Sequence, residues 1–179
     1  KRISIERLAD IFLELQTKGA NNINLVTPEH YAPSIALALA MAKAKGLHLP
    51  IICNCSGYSS LTALRILSDH VDVWLPDFKY YSPELSRKYS HAPDYFTVAC
   101  QALQFMYGQA GDPVFDDNGI IQKGIIVRHL TLPGCMEDSR KVIHYLHEIY
   151  GDKIYISIMN QFTPVSELLS DYPELNHTI

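Results

Sequence analysis

Short apolar runs set apart by helix-length amphipathic segments constrain this chain more than any other feature. The runs are NINLVT (Asn22 to Thr27), LPIICN (Leu49 to Asn54), VDVWLP (Val71 to Pro76), GIIVRHLTL (Gly124 to Leu132) and KIYISIM (Lys153 to Met159). Helical patterns fall between them, at Ala32 to Lys45, Ser60 to Leu67, Pro83 to Tyr89, Pro93 to Tyr107 and Glu137 to Tyr150. Gly46 and Gly151 stand where two of these helices must stop. Strands alternating with helices of this length predict βαβ units, hence an α/β fold with a parallel sheet and right-handed crossovers. One stretch breaks the rhythm. Asn118-Gly119 between apolar residues predicts a β-hairpin over Pro113 to Lys123, inserted before the fourth run.

At 179 residues, 47% hydrophobic and 19% charged, the chain has the size and composition of one globular domain over residues 1–179. A net charge of -4 with no basic run argues against nucleic acid as a partner. The longest apolar run, Ile35 to Ala42, is too short to cross a bilayer, so no membrane partner is expected. No targeting signature precedes the first element, and a cytoplasmic location follows as the expectation. Cys53, Cys55, Cys100 and Cys135 form no CxxC pair, which leaves them as reduced, structural thiols. Ile5, Leu8, Ala9, Phe12 and Leu15 share a helical face that needs something to pack on. With Lys1 as the first residue, the chain reads as a piece excised from a longer polypeptide.

Parallel strands place their C-terminal ends on one rim, where α/β proteins build sites. That rim collects Thr27 and Glu29 after the first strand, Asn54 and Ser56 after the second, and Asp77 and Lys79 after the third. Arg128 lies within the fourth strand, and Asn160 with Gln161 follows the fifth. Asp77 and Lys79 alternate with Phe78 and so project to the same side. A carboxylate can accept from both hydroxyls of a ribose, and an ammonium can hold a carboxylate or phosphate; the same pair can equally be a structural ion pair. Glu29 can take a ligand ammonium or serve the helix that follows it. An arginine inside an apolar strand requires an anionic partner.

The stretches LELQTKGANNINLVTPEHY, LPIICNCSGY, VDVWLPDFKYYSPELSRKYSHAPDY, IIVRHLTLPG and ISIMNQFTP, in order and with compatible spacing, resemble the radical S-adenosylmethionine superfamily. Within it, the chain is similar to pyruvate formate-lyase activating enzyme-like proteins. The resemblance implies a partial parallel β/α barrel with S-adenosylmethionine and a [4Fe-4S] cluster as cofactors, and reductive cleavage to a 5'-deoxyadenosyl radical. A glycyl-radical enzyme or another protein substrate is the implied partner. Thr27-Pro28-Glu29 stands where related activases carry a Gly-Gly-Glu stretch that receives the methionine amino group, without its glycines. Asn54 and Ser56 occupy the strand end facing the ribose, and Asp77 and Lys79 match an Asp-x-Lys pattern for ribose and carboxylate. Arg128 matches an arginine before a Pro-Gly turn, and Asn160 lies near the adenine.

The family's CxxxCxxC motif is missing from these 179 residues. A cluster with one open iron needs three closely placed thiolates. The expectation is therefore a domain body lacking the first strand and the cluster loop, with no metal site and no catalytic residue of its own. Two other readings stand beside it: a barrel lyase using Lys79 as base or Schiff-base nucleophile, and a non-catalytic ligand- or protein-binding module. An exposed sheet edge could also drive oligomerisation.

Overall fold

The computed structural model describes residues 2–164 and 171–176. Its strands are β1 (Ile23–Val26), β2 (Ile51–Cys55), β3 (Val73–Pro76), β4 (Val114–Phe115), β5 (Ile121–Leu130) and β6 (Tyr155–Met159). The helices are α1 (Ile5–Thr17), α2 (Ala32–Ala44), α3 (Leu61–Ser68), α4 (Pro83–Ser90), α5 (Tyr95–Ala110) and α6 (Met136–Tyr150). Strands β1, β2, β3, β5 and β6 run parallel in that spatial order, and β4 lies antiparallel along the start of β5. The fold is α/β with a mostly parallel sheet, as the alternation predicts.

Register shows how the sheet divides its two faces. Leu25, Cys53, Trp74 and Ile125 form one row across four strands, and all are buried. The next row, Val26, Asn54 and Leu75, points the other way and is exposed or half-buried. Helices cover the first face: Trp74 reaches Gln109 of α5, and His129 reaches Ser139 of α6. Around this face the core gathers Ala38, Leu39, Leu64, Leu67, Leu103, Met106 and Leu146, all essentially inaccessible. Each of the larger side chains contributes ~1.5–3 kcal/mol by leaving water.

Local signals place the helices. Ser4 caps α1 by accepting from the Arg7 amide at 3.2 Å, and Ser82 caps α4 by accepting from the Leu85 amide at 3.3 Å. Helices α2 and α6 end just before the predicted stops, Gly46 and Gly151, which both adopt positive φ.

The hairpin and the fourth strand are not separate elements. β5 runs unbroken from Ile121 to Leu130; its first residues pair with β4, and its later ones with β6. Gly124 permits this. Its φ is +127°, and a Cβ there would sit 2.9 Å from the Cα of Pro113. No side chain fits where the two arms cross so closely. No helix among the described residues is long and apolar enough to cross a membrane.

Trp74 joins sheet to helix by a hydrogen bond as well as by packing. Its Nε1–H donates to Gln109 Oε1 at 2.6 Å, while Gln109 Nε2 donates to the Ser68 carbonyl at 2.9 Å. Trp74→Phe removes the donor, strands the amide oxygen of half-buried Gln109 and leaves a gap, and is expected to cost about 2–3 kcal/mol. Chemical denaturation of the two proteins measures it, and a loss well under 1 kcal/mol would mean that the hydrogen bond matters little.

Candidate functional site

On the open face, at the carboxyl ends of the strands, β3 and β5 bring their charges together. Asp77 and Arg128 form a bridge across the two strands, the Phe78 amide donating to the Arg128 carbonyl at 2.8 Å. Asp77 Oδ1 lies 2.6 Å from an Arg128 terminal nitrogen, and Lys79 Nζ is 3.9 Å from Asp77 Oδ2. The anionic partner that an arginine in an apolar strand requires is thus Asp77. The approach is close but lies off the hydrogen-bonding direction. Asp77 Oδ1 and Arg128 Nε are left as buried polar atoms with no well-directed hydrogen bond, so the contact between the two residues is electrostatic.

These three side chains open into a cleft of about 310 Å³ lined also by Tyr80, Leu130, Leu132, Met159 and Gln161. Two cations against one carboxylate leave one positive charge uncompensated in the lining. The cleft therefore favours an anionic group at one end, and Leu130, Leu132 and Met159 offer an apolar wall to a neutral one.

The other predicted residues are not in the lining of this cleft. Asn54 lies in register with Leu75 and so shares the open face with Asp77, roughly 8 Å along and across the sheet from it. Thr27 is exposed, with a left-handed φ of 47°, and its amide donates to the Asn54 carbonyl at 2.8 Å. Glu29 accepts from the buried Ser59 hydroxyl at 2.7 Å. Ser56 contributes its carbonyl, which faces the Tyr95 hydroxyl at 3.0 Å. Asn160 is exposed beyond β6. Asp77, Lys79 and Arg128 line this cleft together, and Glu29 and Asn54 are not in its lining.

The cysteines are dispersed. Cys53 and Cys55 are buried, Cys53 on the helix-covered face, and a hydrogen bond to Cys55 together with burial pushes the Cys53 thiol up. Cys100 belongs to a groove between α5 and α6. Among the described residues, no group of three His, Cys, Asp or Glu side chains is placed to hold a metal ion.

What fixes the charged segment is legible only in three dimensions. His129 Nδ1 donates to the Phe78 carbonyl at 2.7 Å, and its Nε2 meets Ser139 Oγ at 2.8 Å. Asp138, in the first turn of α6, accepts from the Tyr81 and Ser82 amides at 3.0 and 2.8 Å. Tyr95 is buried, and desolvation pushes its phenol above the ordinary tyrosine range, so it keeps its proton. These residues act on backbone, and nothing in the sequence marks them; the one local hint is the isolated histidine inside the apolar β5 run.

No family model matches the chain. It is 22% identical over 162 residues to an uncharacterized protein of Methanocaldococcus jannaschii; the alignment covers 89% of the chain and 43% of that protein. The chain thus spans less than half of this relative's length.

Gly57 holds the loop after β2 against the end of β3. Its φ is +75°, and a Cβ would lie 1.9 Å from the Asp77 carbonyl oxygen. Gly57→Ala must displace backbone as well as strain it, and an expected loss of about 2–4 kcal/mol follows. Thermal and denaturant unfolding read this directly; a variant as stable as the parent would show that the rim is not tightly set.

Proposed function

We propose that this chain is the S-adenosylmethionine-binding body of a radical S-adenosylmethionine enzyme similar to the pyruvate formate-lyase activating enzymes. The carrying observation is the Asp77–Arg128–Lys79 cluster, set at the carboxyl ends of parallel strands and lining one cleft. Strand order supports the same reading. Parallel strands laid down consecutively, with helices packed on one face, suit the winding of a partial barrel better than that of a sheet that reverses direction at a switch point.

S-Adenosylmethionine fits the chemistry of the cleft. Its carboxylate suits Lys79, its ribose hydroxyls suit Asp77, and its adenine suits the wall of Leu130, Leu132 and Met159. Arg128 holds Asp77 in place and supplies part of the positive field. Bound at an iron–sulfur cluster, this cofactor supplies a carbon-centred radical. The thiols of this chain do not fit such a cluster, because they lie buried or on separate elements. In this reading cluster ligands belong to sequence outside these residues, and so does any radical step. A partner protein as radical acceptor, a glycyl-radical enzyme among them, follows from the same resemblance.

A Lys79 Schiff base has less support. The side chain is 40% exposed and lies beside a carboxylate, whereas amine nucleophiles work from dry, apolar pockets.

Calorimetric titration with S-adenosylmethionine tests the proposal. Asp77→Ala and Lys79→Ala should each weaken binding by about tenfold or more, with circular dichroism unchanged. Equal affinity in all three proteins would remove the cleft from the reading. Anaerobic treatment of the chain with iron and sulfide should leave it colourless; stoichiometric cluster uptake would overturn the assignment of its cysteines.

A further inference from the structure

The single hydroxyl of Tyr95 touches the backbone of two of the three residues that carry the charged side chains of the cleft, Asp77 and Lys79. It accepts from the Lys79 amide at 3.0 Å and lies 3.0 Å from the Asp77 carbonyl oxygen, which shares its one proton with the Ser56 carbonyl, also at 3.0 Å. Ser56 follows β2, and Asp77 and Lys79 follow β3, so one phenol joins two strand ends. Gly57 closes the slot, since a Cβ there would come within 3.2 Å of the same hydroxyl.

The ring has little freedom to move. Tyr58 stacks on it with centroids 5.9 Å apart, and Tyr80 and Phe78 meet it edge-on at 5.4 and 6.5 Å. Tyr58 is tethered in turn by a 2.8 Å hydrogen bond to Asp94, the residue before α5. Tyr80 also lines the cleft. The hydroxyl is therefore delivered to the strand ends from the first residue of α5 by a stack of aromatic rings.

We propose that Tyr95 is a positioning residue, setting the direction from which Lys79 meets the anionic end of the ligand. The inference rests on the proposed S-adenosylmethionine reading for its ligand and on the hydrogen bonds alone for its mechanism. A hydroxyl with only a packing role would support every part of the cleft alike. One that fixes Lys79 matters to the charged end of the ligand more than to its nucleoside. Asp77 shares the hydroxyl but is also held by its amide's bond to the Cys55 carbonyl and by Arg128.

Tyr95→Phe keeps the ring and deletes the three polar contacts. Titrations compare S-adenosylmethionine with 5'-methylthioadenosine, a nucleoside thioether that lacks the amino-acid end, in the parent, Tyr95→Phe, Lys79→Ala and the double variant. The expected result is a loss of about tenfold for S-adenosylmethionine in Tyr95→Phe, matching one well-placed hydrogen bond. Affinity for the thioether should stay within about twofold, and no further loss should follow once Lys79 is alanine. Equal weakening of both ligands, or the same loss with and without Lys79, would reduce Tyr95 to structural support and overturn the inference. If the parent binds neither ligand, the S-adenosylmethionine reading fails on its own, and amide hydrogen exchange then decides the role of Tyr95. Exchange at Lys79 should quicken about tenfold or more in Tyr95→Phe while Ala99 and Met106, within α5, are unchanged; an unaltered Lys79 amide would refute it.

Discussion

The bridge between Asp77 and Arg128 is the constraint around which the rest of the rim is arranged. It joins strands far apart in sequence, at the point where the sheet opens to solvent. Its partners retain 28% and 20% of their side-chain exposure, so the pair is neither dry nor fully hydrated. A pair so placed adds little net stability, roughly 0–1 kcal/mol, because Coulomb attraction is offset by desolvation and by two side chains held still. Its geometry makes that contribution smaller still, with Oδ1 and Nε lacking hydrogen bonds. The pair is better explained by what it presents than by what it stabilises.

Rigidity around the pair comes from the helix layer. From Asp77 to Ser82 the backbone is bonded in turn to the Cys55 carbonyl, the Arg128 carbonyl, His129, Tyr95 and Asp138. Three of these groups are buried side chains delivered from the helix-covered side or from the helices themselves. Burial is cheap for them because each is hydrogen-bonded. The aromatic packing of Phe78 against Tyr95, Phe96 and Tyr145 adds apolar area beneath the same segment. A loop that would ordinarily be mobile is thus held to the core along its length, which is what a binding site on a rim requires.

Much of this architecture could be read from the chain. Period and punctuation were enough for the strands, for helices ending at Gly46 and Gly151, and for a hairpin at Asn118-Gly119, because those signals are local. The continuity of β5 was not legible, since it depends on Gly124 passing beside Pro113. Arg128 announced that it needed an anion; identifying Asp77 as that anion required knowing that β3 and β5 are neighbours. Its position after β1 predicts Glu29 at the same rim as Asp77, but the left-handed turn at Thr27 and the short 3-10 helix after it direct its carboxylate to Ser59. Tyr95 and Asp138 carry no sequence signal because their work is done on the backbone of residues 16 and more positions away.

The bonding pattern also limits how the cleft can recognise an anion. Many anion sites use backbone amides, at helix N-termini or in nests of successive N–H groups. Here the amides of Asp77, Phe78, Lys79, Tyr81 and Ser82 already donate within the protein. In the proposed reading, recognition of negative charge would fall instead on Lys79 and Arg128, and Arg128 is engaged with Asp77. Lys79 is left as the adaptable cation, a compact charge on a flexible stem with three donors. Such an arrangement demands a fixed backbone at Lys79, because a long side chain on a shifting base holds no direction, and the burial of one phenol beneath it answers that demand.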